Sequence, residues 1–205
     1  MGRHAHPDCM NKRQIGLLGG SFNPAHEGHL YISETALRSL GLDEVWWLVS
    51  PQNPLKPTDG MASFEDRFNS AKQIARNPKI VVSDFEQHLG QSYTARTLEA
   101  LCESHKDCAF VWLMGADNLI QFRNWYQWRD IFDTLPIAVF DRPGYTMKAL
   151  NSFAAKTHEK YRVFTSIPGA PLKDFAMQRA PAWTFVSHTK HKMSSTALRN
   201  RINFS

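Results

Sequence analysis

Ile15-Gly16-Leu17-Leu18-Gly19-Gly20-Ser21-Phe22-Asn23-Pro24-Ala25-His26-Glu27-Gly28-His29-Leu30 is the stretch that decides the fold. An apolar run of strand character, Ile15 to Leu18, ends in two glycines, turns at Asn23-Pro24 and opens a helix. Glycines let the backbone approach an anion closely, and the amides and dipole of a helix start attract one. His26 and His29 stand three residues apart, so both imidazoles fall on one helix face and can point at the same ligand. Strand, turn and armed helix start together read as a nucleotide-phosphate site. In such an anion-rich place both rings are expected to gain charge and act as cationic donors. A histidine pair can also merely decorate a helix start, and it is the glycine turn before it that favours the phosphate reading.

Outward from this stretch, strand-like and helix-like segments alternate. Ile32, Ala36, Leu37 and Leu40 recur at helical spacing, and Gly41 is a natural stop. Val45 to Val49 is a β-rich apolar run closed by Ser50-Pro51. Ser63-Phe64-Glu65-Asp66 reads as a capping box, with Phe64, Phe68, Ala71 and Ala75 on the apolar face that follows. Lys79 to Ser83 predicts a third strand, and Thr94 is expected to cap a helix carrying Ala95, Leu98 and Leu101. Ala109 to Met114 and Pro136 to Phe140 predict two more buried strands, and Ser194 to Ile202 a final short helix; residues 142–183 carry the weakest pattern.

This alternation predicts an α/β, Rossmann-like, doubly wound parallel sheet in a single domain over residues 15–205, behind a flexible extension, 1–14. Apolar strands without polar alternation fit a sheet covered on both faces. Ligands of such folds gather at the carboxyl ends of the strands, near the switch in strand order. His26 and His29, Pro51 to Lys56, Asp117 and Arg142 all follow predicted strands and fall there.

Bulk properties narrow the class. At 205 residues, 42% hydrophobic, the chain can bury a substantial core. The net charge of +5 comes without a long basic block, so nucleic acid is not the expected partner. No apolar run approaches the length of a membrane span, and a cytoplasmic location is expected. Cys9, Cys102 and Cys108 are odd in number and lack C-x-x-C spacing, against zinc and against a disulfide framework. There is no G-x-x-x-x-G-K-[ST], and Gly16-x-x-Gly19-Gly20 does not match G-x-G-x-x-G. Nucleotidyl transfer to a phosphate monoester needs neither device, because the acceptor is already an anion at neutral pH. A second cluster, Met193-Ser194-Ser195-Thr196-Ala197-Leu198-Arg199, offers hydroxyls, amides and a guanidinium fork to phosphates; read alone, it is equally a capped helix with a solvated arginine.

Gly19-Gly20-Ser21-Phe22-Asn23-Pro24-x-His26-x-Gly28-His29 resembles the signature of the HxGH nucleotidylyltransferases. Residues 193–199 resemble that family's second signature, Ile-Ser-Ser-Thr-x-Ile-Arg, with Met193 and Leu198 in place of the isoleucines. Pantetheine-phosphate adenylyltransferases are similar but carry threonine where His26 stands. Pro51-Gln52-Asn53-Pro54-Leu55-Lys56, Ser92-Tyr93-Thr94, Gly115-Ala116-Asp117, Trp125-Tyr126 and Arg142-Pro143-Gly144 resemble, in order, motifs of the bacterial nicotinate mononucleotide adenylyltransferases. The resemblance runs from Gln14 to Ile202.

It implies transfer of AMP from ATP to nicotinate mononucleotide, with Mg2+ delivered on ATP and no resident metal. It assigns catalysis to His26, His29 and Arg199. ATP would be held by these three with Gly19, Gly20, Ser21, Phe22, Gly115, Asp117, Ser194, Ser195 and Thr196. Nicotinate mononucleotide would fall to Asn23, Lys56, Tyr93, Thr94, Trp125, Tyr126 and Arg142. The physical sense is that a flat ring wants an aromatic platform and its carboxylate wants the amides of a helix start. The implied partners are these two nucleotides, without nucleic acid or membrane, and a homo-oligomer stays open. Trp46, Trp47 and Trp128 are expected in the core, and His88, His105, His158, His188 and His191 at the surface. Two rival readings stand beside this one: adenylylation of another phosphate monoester such as phosphopantetheine, and a non-catalytic nucleotide sensor.

Overall fold

A computed structural model describes residues 12–51, 60–90, 93–165 and 170–187. Among these, six parallel strands form one sheet in the order β3-β2-β1-β4-β5-β6. The strands are β1 (Arg13–Gly20), β2 (Glu44–Val49), β3 (Ile80–Ser83), β4 (Cys108–Gly115), β5 (Ile137–Phe140) and β6 (Trp183–Val186). The chain winds outward from β1 to β3, returns to β4 on the other side of β1, and winds outward again. The carboxyl ends of β1 and β4 therefore flank the crevice where such sheets bind ligands.

Side chains alternate across each strand, which sorts the core into two layers. Ile15, Leu17, Phe110, Trp112, Met114, Ile137 and Val139 face α4 (Thr94–Ser104) and α6 (Trp128–Thr134), whose Leu98, Leu101, Ile131 and Phe132 cover them. Leu18, Val45, Trp47, Val49, Val111, Leu113, Ala138 and Phe140 face Ala36 and Leu40 of α1 (Glu27–Leu40), Ala71 of α2 (Phe64–Ile74), and Phe175. Each large apolar side chain buried this way stabilises the fold by about 1.5–3 kcal/mol. Short helices α3 (Phe85–Leu89), α5 (Ala116–Gln121), α7 (Thr146–Leu150) and α8 (Phe153–Thr157) fill the connections.

The central strands match the expected ones with one or two residues added at their ends. Gly41 ends α1 in the left-handed conformation, as a helix stop should. Ser63 Oγ accepts from the Asp66 amide and its hydroxyl turns to the Asp66 carboxylate. Three expectations need correction. Helix α4 begins at Thr94, so the cap position is Tyr93, whose side chain makes no capping bond. Trp47 is fully buried, but Trp46 is only partly so and donates its indole N–H to Glu44. His158 is not a surface group: it is buried, stacked on Phe132 at 3.8 Å, and burial lowers its pKa. Strand β6, unassigned from the sequence, starts where the segment of weakest pattern ends and completes the sheet.

Gly19 is required by packing as well as by any ligand. A Cβ there would lie 2.4 Å from the ring of Trp112, a wide rigid group with core on its far side. Gly19→Ala is expected to destabilise the protein by about 1–3 kcal/mol, read as a drop in urea midpoint. Gly20→Ala meets only ordinary contact with Phe22, at 3.5 Å, and should leave the midpoint unchanged.

Candidate active site

His26 and His29 cap helix α1 reciprocally. His26 occupies the N-cap in extended conformation, and its Nδ1 accepts the Gly28 amide at 3.0 Å. The Nδ1 of His29 reaches back and accepts the His26 amide at 3.2 Å. An amide N–H aimed at each Nδ1 fixes the tautomer, leaving the ring proton on Nε2. The rings stack at 3.8 Å. What the pair can offer a ligand is therefore its two Nε2 atoms.

Behind this pair stands an aromatic wall. Phe22 is fully buried, stacks on Trp47 at 5.1 Å and leans on His29 at 4.6 Å. The Trp47 indole donates to Ser33 Oγ at 2.7 Å, which donates to the His29 carbonyl at 2.8 Å. Phe22 has φ +46°, a conformation that costs about 1–3 kcal/mol outside glycine and is held by this packing. Its ring supports the histidines from below, so only its backbone can serve a nucleotide.

The turn itself is tied down by a residue that the sequence reading missed. Arg67, on α2, is buried among carbonyl oxygens: Nη1 donates to Ser21 and Ser50 at 2.7 Å each, Nη2 to Pro51 at 2.8 Å and Nε to Ala62 at 3.1 Å. Burial lowers its pKa from the ordinary arginine value. Its signal was present, because Arg67 lies three residues after Phe64 and four before Ala71, on the apolar face of α2. Asn23 belongs to the same knot, donating to the Gly60 carbonyl at 3.1 Å and accepting the Ala62 amide at 3.3 Å.

Across the crevice, Asp117 at the start of α5 and Arg142 beyond β5 form an ion pair at 2.6 Å. The resemblance places them with different substrates, and the fold puts them in contact. A Cβ on Gly115 would sit 2.5 Å from Asp117 Oδ1, so glycine is what lets this carboxylate fold back over the strand end. Asp141 shapes the neighbouring turn, its Oδ1 accepting the Arg142 amide and the Thr146 hydroxyl.

The aromatic residues expected to form the platform make two separate sets of ring contacts. Trp125 is partly buried, edge-on to Trp112 at 6.4 Å and tilted on Phe122 at 5.0 Å. Tyr93 and Tyr126 pair at 4.7 Å while 44% and 47% exposed. Trp112 thus links the platform to Gly19. Gly19, Gly20, Ser21, His26, His29, Gly115, Asp117 and Arg142 fall at the carboxyl ends of strands or in the turns and helix starts that follow them, whereas Tyr93 and Thr94 come after α3 and Trp125 and Tyr126 after α5. Lys56, Ser92, Ser194, Ser195, Thr196 and Arg199, with the helix expected at 194–202, lie outside the described residues.

A second missed residue is Glu86, buried on α3. It accepts the Thr97 hydroxyl at 3.1 Å, and burial pushes its carboxyl up to about 7 against the hydrogen bonds from Thr97 and Ser50. A five-residue helix has no periodicity to betray a buried position. The folded state favours the neutral acid, so this stabilisation is complete below the ordinary carboxyl pKa and is lost as pH rises through about 7. Glu86→Gln, neutral at every pH, should gain about 2 kcal/mol relative to the wild type between pH 5 and pH 8. Urea midpoints of both proteins at the two pH values measure this; a gap independent of pH would contradict it.

The family model described as cytidylyltransferase-like matches residues 17–201. A protein of Rhizobium meliloti (strain 1021) named probable nicotinate-nucleotide adenylyltransferase is 52% identical, over 91% of this chain and 97% of its own. One of the same name from Parvibaculum lavamentivorans is 51% identical, over 92% of each. Among solved structures, Plasmodium falciparum nicotinic acid mononucleotide adenylyltransferase complexed with NaAD superposes with a TM-score of 0.67 at 17% identity, covering 92% of this chain and 83% of that one. At that identity the likeness speaks for the fold.

Proposed function

We propose a residue-level mechanism from the premise that this chain belongs to the cytidylyltransferase-like family, among its nicotinate-nucleotide adenylyltransferases. The enzyme transfers AMP from ATP to nicotinate mononucleotide, giving nicotinate adenine dinucleotide and pyrophosphate, a step of NAD biosynthesis. The acceptor phosphate attacks the α-phosphorus in line, the bond to the β-phosphate oxygen breaks, and pyrophosphate leaves. No proton need be abstracted, so the protein's work is alignment and stabilisation of charge.

The observation that carries the mechanism is the reciprocal cap of His26 and His29 at the switch point of the sheet. Amide donors hold both Nδ1 atoms, so both Nε2–H groups can be presented to phosphoryl oxygens without reorganisation. Gly19, Gly20 and Ser21 bring the backbone close to the phosphates; Ser194, Ser195, Thr196 and Arg199 receive the triphosphate. Asp117 keeps acceptor capacity on Oδ1 for a ribose hydroxyl while Arg142 holds Oδ2. Trp125 and Tyr126 supply the platform for the pyridine ring, with the start of α4 at Thr94 facing its carboxylate, and Lys56 and Arg142 neutralise phosphate charge. Asn23 serves the mononucleotide side by fixing the 60–62 backbone. Mg2+ enters as part of the ATP substrate, carried by phosphate oxygens and water.

Label transfer tests this reading. With ATP labelled at the α-phosphate and nicotinate mononucleotide present, label should appear in the dinucleotide. Label found only in free AMP would mean hydrolysis, and would overturn it.

A further inference from the structure

Among the described residues one buried acid, Glu86, has no part in the mechanism. Glu86 bridges two elements with separate duties. On one side is Ser50, which follows β2; its side chain neighbours the Glu86 carboxyl and lowers its pKa, its amide donates to the Gly20 carbonyl at 2.9 Å, and its carbonyl accepts from Arg67. On the other side is Thr97, in the first turn of α4, whose hydroxyl donates to Glu86 and also lies 3.4 Å from the Tyr93 carbonyl. The Thr97 amide donates to that same carbonyl at 3.1 Å. The glycine turn is thereby connected through Ser50, Glu86 and Thr97 to the turn that carries Tyr93 and Thr94. Tyr93 in turn packs on Tyr126.

We propose that Glu86 is a positioning residue for nicotinate mononucleotide, locking the Tyr93–Thr97 turn to the end of β2 so that the mononucleotide side of the site keeps its distance from the phosphate turn. The inference rests on the functional reading above and deepens it. The link works in either charge state: as a carboxylate Glu86 accepts from both hydroxyls, and as a neutral acid it accepts from Thr97 and donates to Ser50. Side-chain oxygen is what the link needs, not charge. Glutamine should therefore replace it and alanine should not.

Steady-state kinetics with each substrate varied in turn gives the test. Glu86→Ala is expected to raise KM for nicotinate mononucleotide about tenfold, with kcat and KM for ATP within about twofold of the wild type. Glu86→Gln should restore KM to within about threefold. Thr97→Val, which keeps the shape and deletes the donor, should reproduce the alanine effect, and carries the test alone if circular dichroism shows Glu86→Ala unfolded. A rise in both KM values together, a failure of glutamine to rescue, or variants indifferent in an active wild-type background would each overturn the positioning role alone. A wild type inactive with nicotinate mononucleotide would instead overturn the functional reading and this inference with it.

Discussion

Replacing His29 with alanine is expected to lower kcat for adenylyl transfer roughly a thousandfold, because it deletes a pre-aimed donor to the transferring phosphoryl group. The stacked geometry sharpens the expectation. His29 holds its Nδ1 on the His26 amide and its ring on Phe22 and Trp47, so its Nε2–H is fixed before substrate arrives. Losing it also loosens the cap of α1, which should lower stability by only about 1 kcal/mol. The variant should therefore fold, melt a few degrees lower at most, and bind ATP with little change while failing to turn it over. Steady-state pyrophosphate release with a melting curve on the same preparation measures both. Turnover within tenfold of the wild type would remove the imidazole pair from the mechanism.

Arg67→Ala should be the most damaging substitution for the fold. It would leave the carbonyls of Ser21, Ser50, Pro51 and Ala62 without their shared donor and open a cavity beneath the phosphate turn. Water can rescue some of these groups, so the loss is expected at about 3–5 kcal/mol, or a melting temperature about 10 °C lower. Arg67→Lys should recover little, because an ammonium cannot span carbonyls spaced for a planar fork. A melting temperature within 3 °C of the wild type for Arg67→Ala would contradict this account of how the strand ends are held.

These two residues show where the sequence was legible and where it was not. The glycine turn and paired histidines could be read because strand, turn and helix start follow each other without interruption. Strands β1, β2 and β4 were visible as apolar runs since both faces of the sheet are covered, so no polar alternation blurs them. Strand β6 was obscure because only four residues, Trp-Thr-Phe-Val, carry it, and Thr184 interrupts the apolar run with a hydroxyl that donates to Val163. Arg67 and Glu86 escaped for another reason. A charged residue is normally read as solvated, and only the tertiary arrangement shows that carbonyls or hydroxyls surround it. The orientation of the histidines was out of reach likewise: the backbone amides on Nδ1 could be seen only in three dimensions. Asp117 and Arg142, assigned to different substrates, meet because β4 and β5 are neighbours in the sheet.

Pyrophosphate release from ATP and Mg2+, with nicotinate mononucleotide, nicotinamide mononucleotide and phosphopantetheine offered separately, tests the central claim most directly. Rapid release with nicotinate mononucleotide and little with the other two is the predicted result. Release as fast with phosphopantetheine, or none with any acceptor, would contradict it.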